Sequence, residues 1–426
     1  MRKILSVLLV SLLIYQSNEI IEPVEVRASS HYITVNEFTE ELANELKISL
    51  KEGSMTPSYS DTLINLGIIK SGDFVDYSKN LTRGDMLMLL SRADDYVNKP
   101  TIDAKLVNEV IAKRISDISK VPDTKREDIA KGYIKGMMKG YSNGAYSSNR
   151  KLKLTSKVTK AGALSCLKMI NDKSLRAKIS PDGQLIRTTN LPKNAKLFPY
   201  ILASYPNKYY EWQLLYQRAS IYDENGKLRD MKNHIDYAAP ANMDVLEVDS
   251  YNNFATLKKE KLSEWVEKAE KHLKLVFSVD YRTIGNEWVN DMLKVNFQYG
   301  TYYEKFPEKK LNEYVDLMKA NKTIVDYKTI AVDGSSLYYF NDSFYMRVYV
   351  KYRIKSSIVE AAKDVDEYMS KHPYNKILFS NVFVKLDGFK LNEWKEGYFD
   401  IVMADANDDG NLGVHGIWYD LGKVLD

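Results

Sequence analysis

The histidine, serine and cysteine residues of this sequence form few of the spaced motifs that are typical of catalytic sites. Its five histidines do not form a His-Glu-x-x-His pair, so the pattern of a zinc protease is missing. The sequence also lacks a P-loop and a Gly-x-Gly-x-x-Gly fingerprint. The single cysteine, Cys166, lies in an apolar run where a buried and unreactive thiol is expected. We therefore predict no enzyme, although carboxylate pairs for glycoside cleavage stay open among 57 acidic residues.

An acidic loop near the end of the chain has part of the pattern of a calcium site. Asp405, Asn407, Asp409 and Gly410 match the start of a loop that wraps oxygen ligands around the ion. The twelfth position is Gly416 instead of glutamate, and the flanking residues have the pattern of strands. Two interpretations stay open, a weak calcium site and a hairpin loop that needs no metal. No other cofactor is indicated.

Length and composition are typical of a secreted globular protein. The chain has 426 residues, enough for two or three domains, and is 44% hydrophobic and 28% charged. A net charge of +4 gives no reason to expect nucleic acid. Residues 1–28 have the pattern of a signal peptide, in which Arg2 and Lys3 precede an apolar run and Ala28 ends a cleavage site. An uncleaved anchor is the alternative, and no later run predicts a membrane span.

Three helix starts in the first part of the chain look alike. Each has an apolar residue, then a threonine, then a run with one apolar face, and the threonines are Thr34, Thr82 and Thr159. A threonine hydroxyl in this place is expected to cap the helix by accepting an N–H bond. Glu37 and Asp85 lie three residues after the first two threonines, where a capping box has its acidic member. The sequence therefore predicts three capped helices of one repeated kind.

Glycine turns precede the second and third of these starts. A helix ending at Gly67 and a turn at Gly72 precede Thr82. A helix ending near Gly136 and an Asn143-Gly144 turn precede Thr159. The repeated unit is thus a helix, a glycine turn, an extended link and a capped helix.

This unit resembles the S-layer homology module, in which Gly-Ile-Ile ends a helix, Gly-Tyr-x-(Asp/Asn)-Gly-x-(Phe/Tyr) follows, and Thr-Arg-Ala-Glu opens the next helix. The resemblance covers roughly residues 29–173. Ile115–Ile118 resembles the Phe-x-Asp-Val opening of the module. The matching segments are Gly136–Met138, Gly140–Tyr146 and Thr159–Gly162 in the third copy, Gly67–Ile69, Gly72–Phe74 and Thr82–Asp85 in the second, and Thr34–Glu37 in the first.

The resemblance implies a pseudo-threefold helical array at residues 29–175. In the family such an array attaches proteins to Gram-positive cell walls by binding an anionic secondary cell-wall polysaccharide, and the motif arginine suits a carboxylate at a helix N-terminus. Here Arg83 is the only arginine in that position. Lys160 keeps the positive charge but lacks the paired N–H donors of a guanidinium, and Val35 lacks both. The implied binding residues are Thr82, Arg83, Asp85, Thr159, Lys160, Gly72, Gly140, Asn143 and Gly144.

The rest of the chain predicts a linker and an α+β domain. Residues 176–258 predict a linker or a small subdomain with short strands. Residues 259–426 predict helices followed by an antiparallel sheet, with a cystatin-like or nuclear-transport-factor-2-like (NTF2-like) architecture possible. Three helices are expected, one each around Leu262, Trp288 and Leu311, and a fourth is expected at 358–370. The expected strands are 344–354, 377–386, 397–403 and 416–421.

One face of the strand at 344–354 is rich in tyrosine and cations. Its residues are Tyr345, Arg347, Tyr349, Lys351 and Arg353. It is either a surface that binds an anionic or sugar ligand or a solvated sheet face with cross-strand pairs.

Together these patterns predict a secreted cell-surface protein attached to the cell wall through its repeats, with a second module of unknown ligand. Two alternatives stay open. One is a wall-anchored hydrolase that uses carboxylates of the second module, and the other is a structural surface protein whose repeats bind nothing. The oligomeric state is not indicated.

Overall fold

The structure, a computed structural model, describes residues 31–49, 58–211, 254–297, 305–340, 343–357, 391–404 and 411–418. The signal pattern at residues 1–28 and the helix and strand expected between 358 and 386 lie outside these ranges. So do Asp405, Asn407 and Asp409 of the acidic loop.

Residues 31–175, here called the helical region, are mainly short helices around an apolar core. Leu42, Leu81 and Leu89 are among the core side chains that are fully buried. The elements are α1 (Val35–Glu45), α2 (Tyr59–Asn65), α3 (Arg83–Asn98), α4 (Ala104–Lys113), α5 (Asp123–Ile134), the hairpin of β1 (Tyr141–Ser142) and β2 (Arg150–Lys151), and α6 (Lys160–Leu167).

The three threonine caps predicted from the sequence are confirmed. Thr34 Oγ1 accepts the Glu37 N–H at 3.2 Å, and Glu37 Oε2 accepts the Thr34 N–H at 2.8 Å, so the capping box is complete. Thr82 and Thr159 each accept the N–H of the residue three positions on, at 3.2 Å. Local chemistry therefore sets the starts of α1, α3 and α6.

Backbone hydrogen bonds join these three helix starts in a closed ring. The Ile33 N–H donates to the Val158 carbonyl at 3.0 Å, the Val158 N–H to the Leu81 carbonyl at 3.1 Å, and the Leu81 N–H to the Ile33 carbonyl at 2.9 Å. All three residues are buried, and each directly precedes a capping threonine. Each helix start is therefore bonded to the other two, although the three starts lie far apart in the sequence.

Residues 254–418, here called the sheet region, form a mixed α+β fold with an antiparallel sheet, as predicted. Among its described residues, five strands pair in the order β3-β4-β5-β6-β7, and Trp265 and Phe277 are fully buried between helix and sheet. The elements are α8 (Phe254–Phe277), β3 (Val279–Asp280), α9 (Asn286–Val295), α10 (Lys305–Ala320), β4 (Ile324–Phe340), β5 (Ser343–Ser356), β6 (Lys395–Ala404) and β7 (Gly413–Trp418).

The long strand β4 was not predicted from the sequence. Asp333-Gly334-Ser335 interrupts its β-forming pattern, and the pairing with β5 shifts register between Asp333 and Tyr338. Gly334 permits the close approach of α8, because a Cβ there would lie 3.1 Å from Val266 Cγ2. The break in the pattern is thus a bulge under a crossing helix.

Residues 198–211, here called the strap, lie against one face of this sheet. The Tyr209 hydroxyl donates to the Arg347 carbonyl at 2.6 Å, and the Tyr205 hydroxyl donates to the Val332 carbonyl at 3.2 Å. The strap ends in the short helix α7 (Asn207–Glu211). A linker or a small subdomain with short strands was expected here, and the β structure of the described residues between 176 and 211 consists of isolated bridges.

The strap changes the interpretation of the tyrosine-rich face of β5. Tyr345, Arg347 and Tyr349 are each less than a tenth exposed, so neither a ligand surface nor a solvated face is correct for this part of the strand. Only Lys351 and Arg353, further along, stay partly exposed. They pair with carboxylates of the neighbouring strands at 2.7 and 2.8 Å, as a solvated sheet face requires.

Tyr146 joins the helical region to the strap and the sheet. Its ring stacks on Tyr349 with centroids 3.7 Å apart, and its hydroxyl lies 2.6 Å from the Tyr398 hydroxyl. Its N–H donates to the Ser204 carbonyl at 2.6 Å. The backbone at Tyr146 is left-handed, with φ at 62°, which is costly for a tyrosine and is offset by these contacts.

No helix in the part of the chain that the structure describes has the length and apolar character needed to cross a membrane.

A candidate ligand-binding site at the second capped helix

Arg83, the first residue of α3, lies beside an exposed aromatic ring. Its Cζ atom is 5.7 Å from the centroid of the Tyr141 ring, and Lys153 Nζ is 3.9 Å from the same centroid. The Tyr141 side chain is 49% exposed. Two cationic groups therefore flank an aromatic ring that is open to solvent, a combination that suits a sugar with an acidic substituent.

The Arg83 guanidinium keeps donors for a ligand. Its Nε donates to the Leu152 carbonyl at 2.7 Å, which fixes the direction of the side chain. Among the described residues this is the one hydrogen bond made by that side chain, so its two Nη atoms have no acceptor there. A carboxylate can accept from such a pair of nitrogens in a bidentate arrangement.

The β1–β2 hairpin and the link after it position the other two groups. Gly140 begins the hairpin with φ at 66°, and a Cβ there would lie 2.5 Å from Leu152 Cδ2, so a side chain does not fit. Lys153 also has a left-handed backbone, with φ at 55°. Lys153 lies between Leu152 and Leu154, whose backbone N–H groups are both held by one buried side chain.

That anchoring side chain is Asp117, which is 2% exposed. Its Oδ1 accepts the Leu152 N–H at 2.8 Å, and its Oδ2 accepts the Leu154 N–H at 2.9 Å. Both carboxylate oxygens therefore fix the backbone on either side of Lys153. Asp117 belongs to the Ile-Ser-Asp-Ile segment that the sequence singled out, but its role depends on a contact over more than 30 residues and could not be predicted from local pattern.

The helix N-terminus itself offers few donors to a ligand. The Arg83 N–H donates to the Ser156 carbonyl and the Gly84 N–H to the Leu154 carbonyl, both at 2.8 Å. The Asp85 N–H donates to Thr82 Oγ1. Since two backbone carbonyls and the Thr82 hydroxyl already accept these N–H groups, side chains and not backbone amides must supply the charge that an anion would meet.

The structure gives Lys160 a different environment from Arg83. Lys160 Nζ lies 3.1 Å from Glu41 Oε1, and the pairing with Glu41 raises the pKa of Lys160. The Lys160 N–H donates to the His31 carbonyl, and Thr159 caps the helix. An anion near Lys160 would therefore compete with a carboxylate that is already in place.

The remaining residues named from the sequence do not converge on Arg83 as ligand donors. Asp85 pairs with Lys125 Nζ at 2.7 Å and accepts the Thr82 hydroxyl at 2.6 Å, so it is part of the scaffold. Gly72 lies in an exposed turn of the second copy with φ at 88°. Asn143 and Gly144 form the exposed tip of the β1–β2 hairpin.

Tyr141 and Lys153 were not among the residues proposed from the sequence. Tyr141 belongs to the Gly-Tyr motif of the third copy, so its position in the pattern could have identified it. Lys153 carried no signal, because its place beside the ring comes from the left-handed backbone and the Asp117 anchor.

Groups with other possible chemistry lie apart from this site. Cys166 is partly buried in the helical core, and burial raises the pKa of its thiol, as expected for an unreactive cysteine. His272 is buried with its Nδ1 2.8 Å from Asn296 Oδ1. No cluster of metal-ligating side chains occurs within the described residues, and the acidic loop at Asp405 lies outside them.

Comparisons with known proteins place the chain in no family. No family model matches the sequence, and no curated protein matches it. Among solved structures, an NTF2-like protein involved in plasmid conjugation is similar to part of the chain, with 14% identity and a TM-score of 0.22. The similarity covers 38% of this chain and 51% of that one, so it spans about half of that protein. A TM-score of this size carries no argument about this chain.

Proposed function

We propose that this is a secreted cell-surface protein whose helical region is a degenerate S-layer-homology-like array that binds an anionic cell-wall polysaccharide. The cluster of Arg83, Lys153 and the partly exposed Tyr141 ring carries the proposal, because it presents two cations for a carboxylate beside an aromatic side chain. The closed ring at Ile33, Leu81 and Val158 supports an array of three related copies.

Within this proposal the three copies are unequal. Only the second capped helix presents an arginine with Nη donors that no described residue uses. The third presents Lys160, which Glu41 already pairs, and the first presents Val35, which is buried. Attachment to the wall therefore depends on one site, so the protein binds more weakly than an array with three competent sites.

For the sheet region we propose a curved sheet wrapped around helices, of the cystatin-like or NTF2-like kind. One long helix, α8, crosses a five-stranded antiparallel sheet and shares its core. An experimental structure of the full chain would test this by showing whether the sheet curls around α8.

The binding proposal is tested by sedimentation of the full chain with purified cell walls, before and after extraction of the polysaccharide. We expect binding to intact walls only. Arg83→Ala should weaken it about 10-fold or more, since a hydrogen bond to a charged group is worth about 1.5–3 kcal/mol. The affinity of Arg83→Lys for walls should lie between those of the wild-type chain and Arg83→Ala, because lysine keeps the charge but lacks the paired N–H donors.

Lys160→Ala is the matched control and should change the affinity less than about threefold, because an exposed ion pair contributes little. Failure of the wild-type chain to sediment at low salt would refute the proposal. Equal losses for Arg83→Ala and Lys160→Ala would refute the assignment of the site. Release of soluble fragments from the walls would favour the hydrolase alternative.

A further inference from the structure

Asp333 is a buried carboxylate on the bulged part of β4, next to the strap. The residue is fully buried. Its Oδ1 accepts the Ser335 N–H at 2.8 Å, whereas its Oδ2 has no hydrogen-bond partner among the described residues. A buried carboxylate oxygen without a donor strongly favours the protonated form.

Arg347, the cross-strand neighbour of Asp333, has other acceptors. Arg347 pairs with Asp333 across the two strands in the sheet register, but its Nε lies 3.4 Å from Asp400 Oδ1. Its Nη1 donates to the carbonyls of Tyr209 and Tyr210 at 3.4 and 3.1 Å. Since Asp400 is also fully buried, an ionised Asp333 would be a second carboxylate for one guanidinium.

The groups that face Asp333 come from every element packed around it. The other titratable or charged groups near Asp333 include Arg347 on β5, Asp400 on β6, Tyr200, Tyr205, Tyr209 and Tyr210 on the strap, and Asp182 in the preceding segment. Burial raises the pKa of each strap tyrosine well above its usual range. Burial has the same direction of effect on the Asp333 carboxyl group, and it raises the pKa of that group toward neutral pH.

The same tyrosines fasten the strap to the sheet. Tyr205 and Tyr209 bond the carbonyls of β4 and β5, and the Tyr210 hydroxyl accepts the Leu202 N–H at 2.8 Å within the strap. Tyr146 of the helical region is tied to the strap at Ser204. Loosening the strap would therefore remove one of the contacts that hold Tyr146 against the sheet region.

We propose that the strap is a pH-dependent latch, closed when Asp333 carries a proton and loosened when that proton is lost. Burial raises the pKa of Asp333 to about 6, from an ordinary value of 3.8. Opening the strap gives water access to the carboxyl group and restores its ordinary pKa, so release of the proton is coupled to opening. From these two pKa values the opening equilibrium should increase about 10-fold between pH 5 and pH 8.

Hydrogen exchange of the full-length chain at pH 5 and pH 8, corrected for intrinsic exchange rates, tests the latch. Amides of the strap in the wild-type chain should lose about 10-fold in protection relative to amides of α9. Asp333→Asn, which is isosteric and neutral, should show less than about a twofold change. Asp326→Asn is the matched control on the same strand, because Asp326 is partly exposed and paired with Arg353, and it should behave as wild type.

Equal strap protection of the wild-type chain at the two pH values would overturn the latch. So would an unchanged pH response in folded Asp333→Asn. If circular dichroism shows that Asp333→Asn does not fold, the wild-type titration decides alone. A midpoint near pH 6 supports the latch, and the absence of any transition between pH 5 and pH 8 excludes it.

Discussion

His272 and Asp333 are two buried groups whose pKa values shift in opposite directions. Burial lowers the pKa of His272 to about 4, from 6.5, and raises that of Asp333 to about 6, from 3.8. Between pH 4 and pH 6 both side chains are therefore neutral in the folded chain and charged in the unfolded chain. The folded chain buries no charge at either position in this pH range. Each of the two residues nevertheless makes the free energy of unfolding depend on pH.

The two dependences have opposite sign. Below pH 6.5 the unfolded chain protonates His272 while the folded chain does not, so the free energy of unfolding falls as pH drops to 4. Above pH 3.8 the unfolded chain releases the Asp333 proton that the folded chain keeps, so this free energy falls as pH rises to 6. Each effect amounts to about 3 kcal/mol, and over the shared range they nearly cancel.

Single substitutions should separate the two effects. For Asp333→Asn we expect the free energy of unfolding to rise by about 3 kcal/mol from pH 4 to pH 6.5, because His272 then acts alone. For His272→Gln we expect a fall of similar size from pH 4 to pH 6. Urea unfolding followed by tryptophan fluorescence measures both, since all five tryptophans lie at position 212 or later. Variants that keep the wild-type pH profile would contradict this, and His31→Gln, at an exposed site, is the control.

At the scale of elements, the link between β2 and α6 depends on Asp117. Asp117→Asn removes one of two acceptors and the charge that strengthens both bonds to Leu152 and Leu154. We expect the free energy of unfolding of the helical region to fall by about 2–3 kcal/mol, and wall binding to weaken because Lys153 loses its position. Urea unfolding and wall sedimentation measure the two effects.

Asp123→Asn is the matched control for that change. Its carboxylate is 85% exposed, so the free energy of unfolding should change by less than about 0.5 kcal/mol. Equal effects of the two substitutions would show that Asp117 does not anchor the link.

Features that depend on local contacts could be predicted from the sequence, and features that depend on distant contacts could not. The capped starts at Thr34, Thr82 and Thr159 could be predicted, because a cap is formed by residues within one turn. The burial of Arg347 could not, because it results from a strap that lies more than 130 residues earlier in the chain. Arg83 was identified from its motif and Tyr141 could have been, whereas the position of Lys153 beside the ring depends on the long-range contact of Asp117.

At the scale of the molecule, Tyr146 connects the two regions. Tyr146→Ala removes the stack on Tyr349 and the hydroxyl contact with Tyr398, which should cost about 2–3 kcal/mol for a half-buried tyrosine. We expect calorimetry to show one cooperative transition for the wild-type chain and two for the variant, with the helical and sheet regions melting separately.

Tyr141→Ala, at an exposed tyrosine of the same turn region, should leave the single transition intact. A single transition at the wild-type temperature for Tyr146→Ala would show that the regions are coupled by other contacts. Those candidates are the polar contacts between α4 and α8, such as Lys113 with Glu267 at 3.1 Å.

The ring of hydrogen bonds at Ile33, Leu81 and Val158 also constrains the order in which the chain can fold. Two of its three bonds involve Val158, so synthesis of the first two copies leaves the ring open. Pairings over such long separations in sequence form slowly, because loop closure must precede them. A chain emerging from its N-terminus would thus complete its helical region only when the third copy is present.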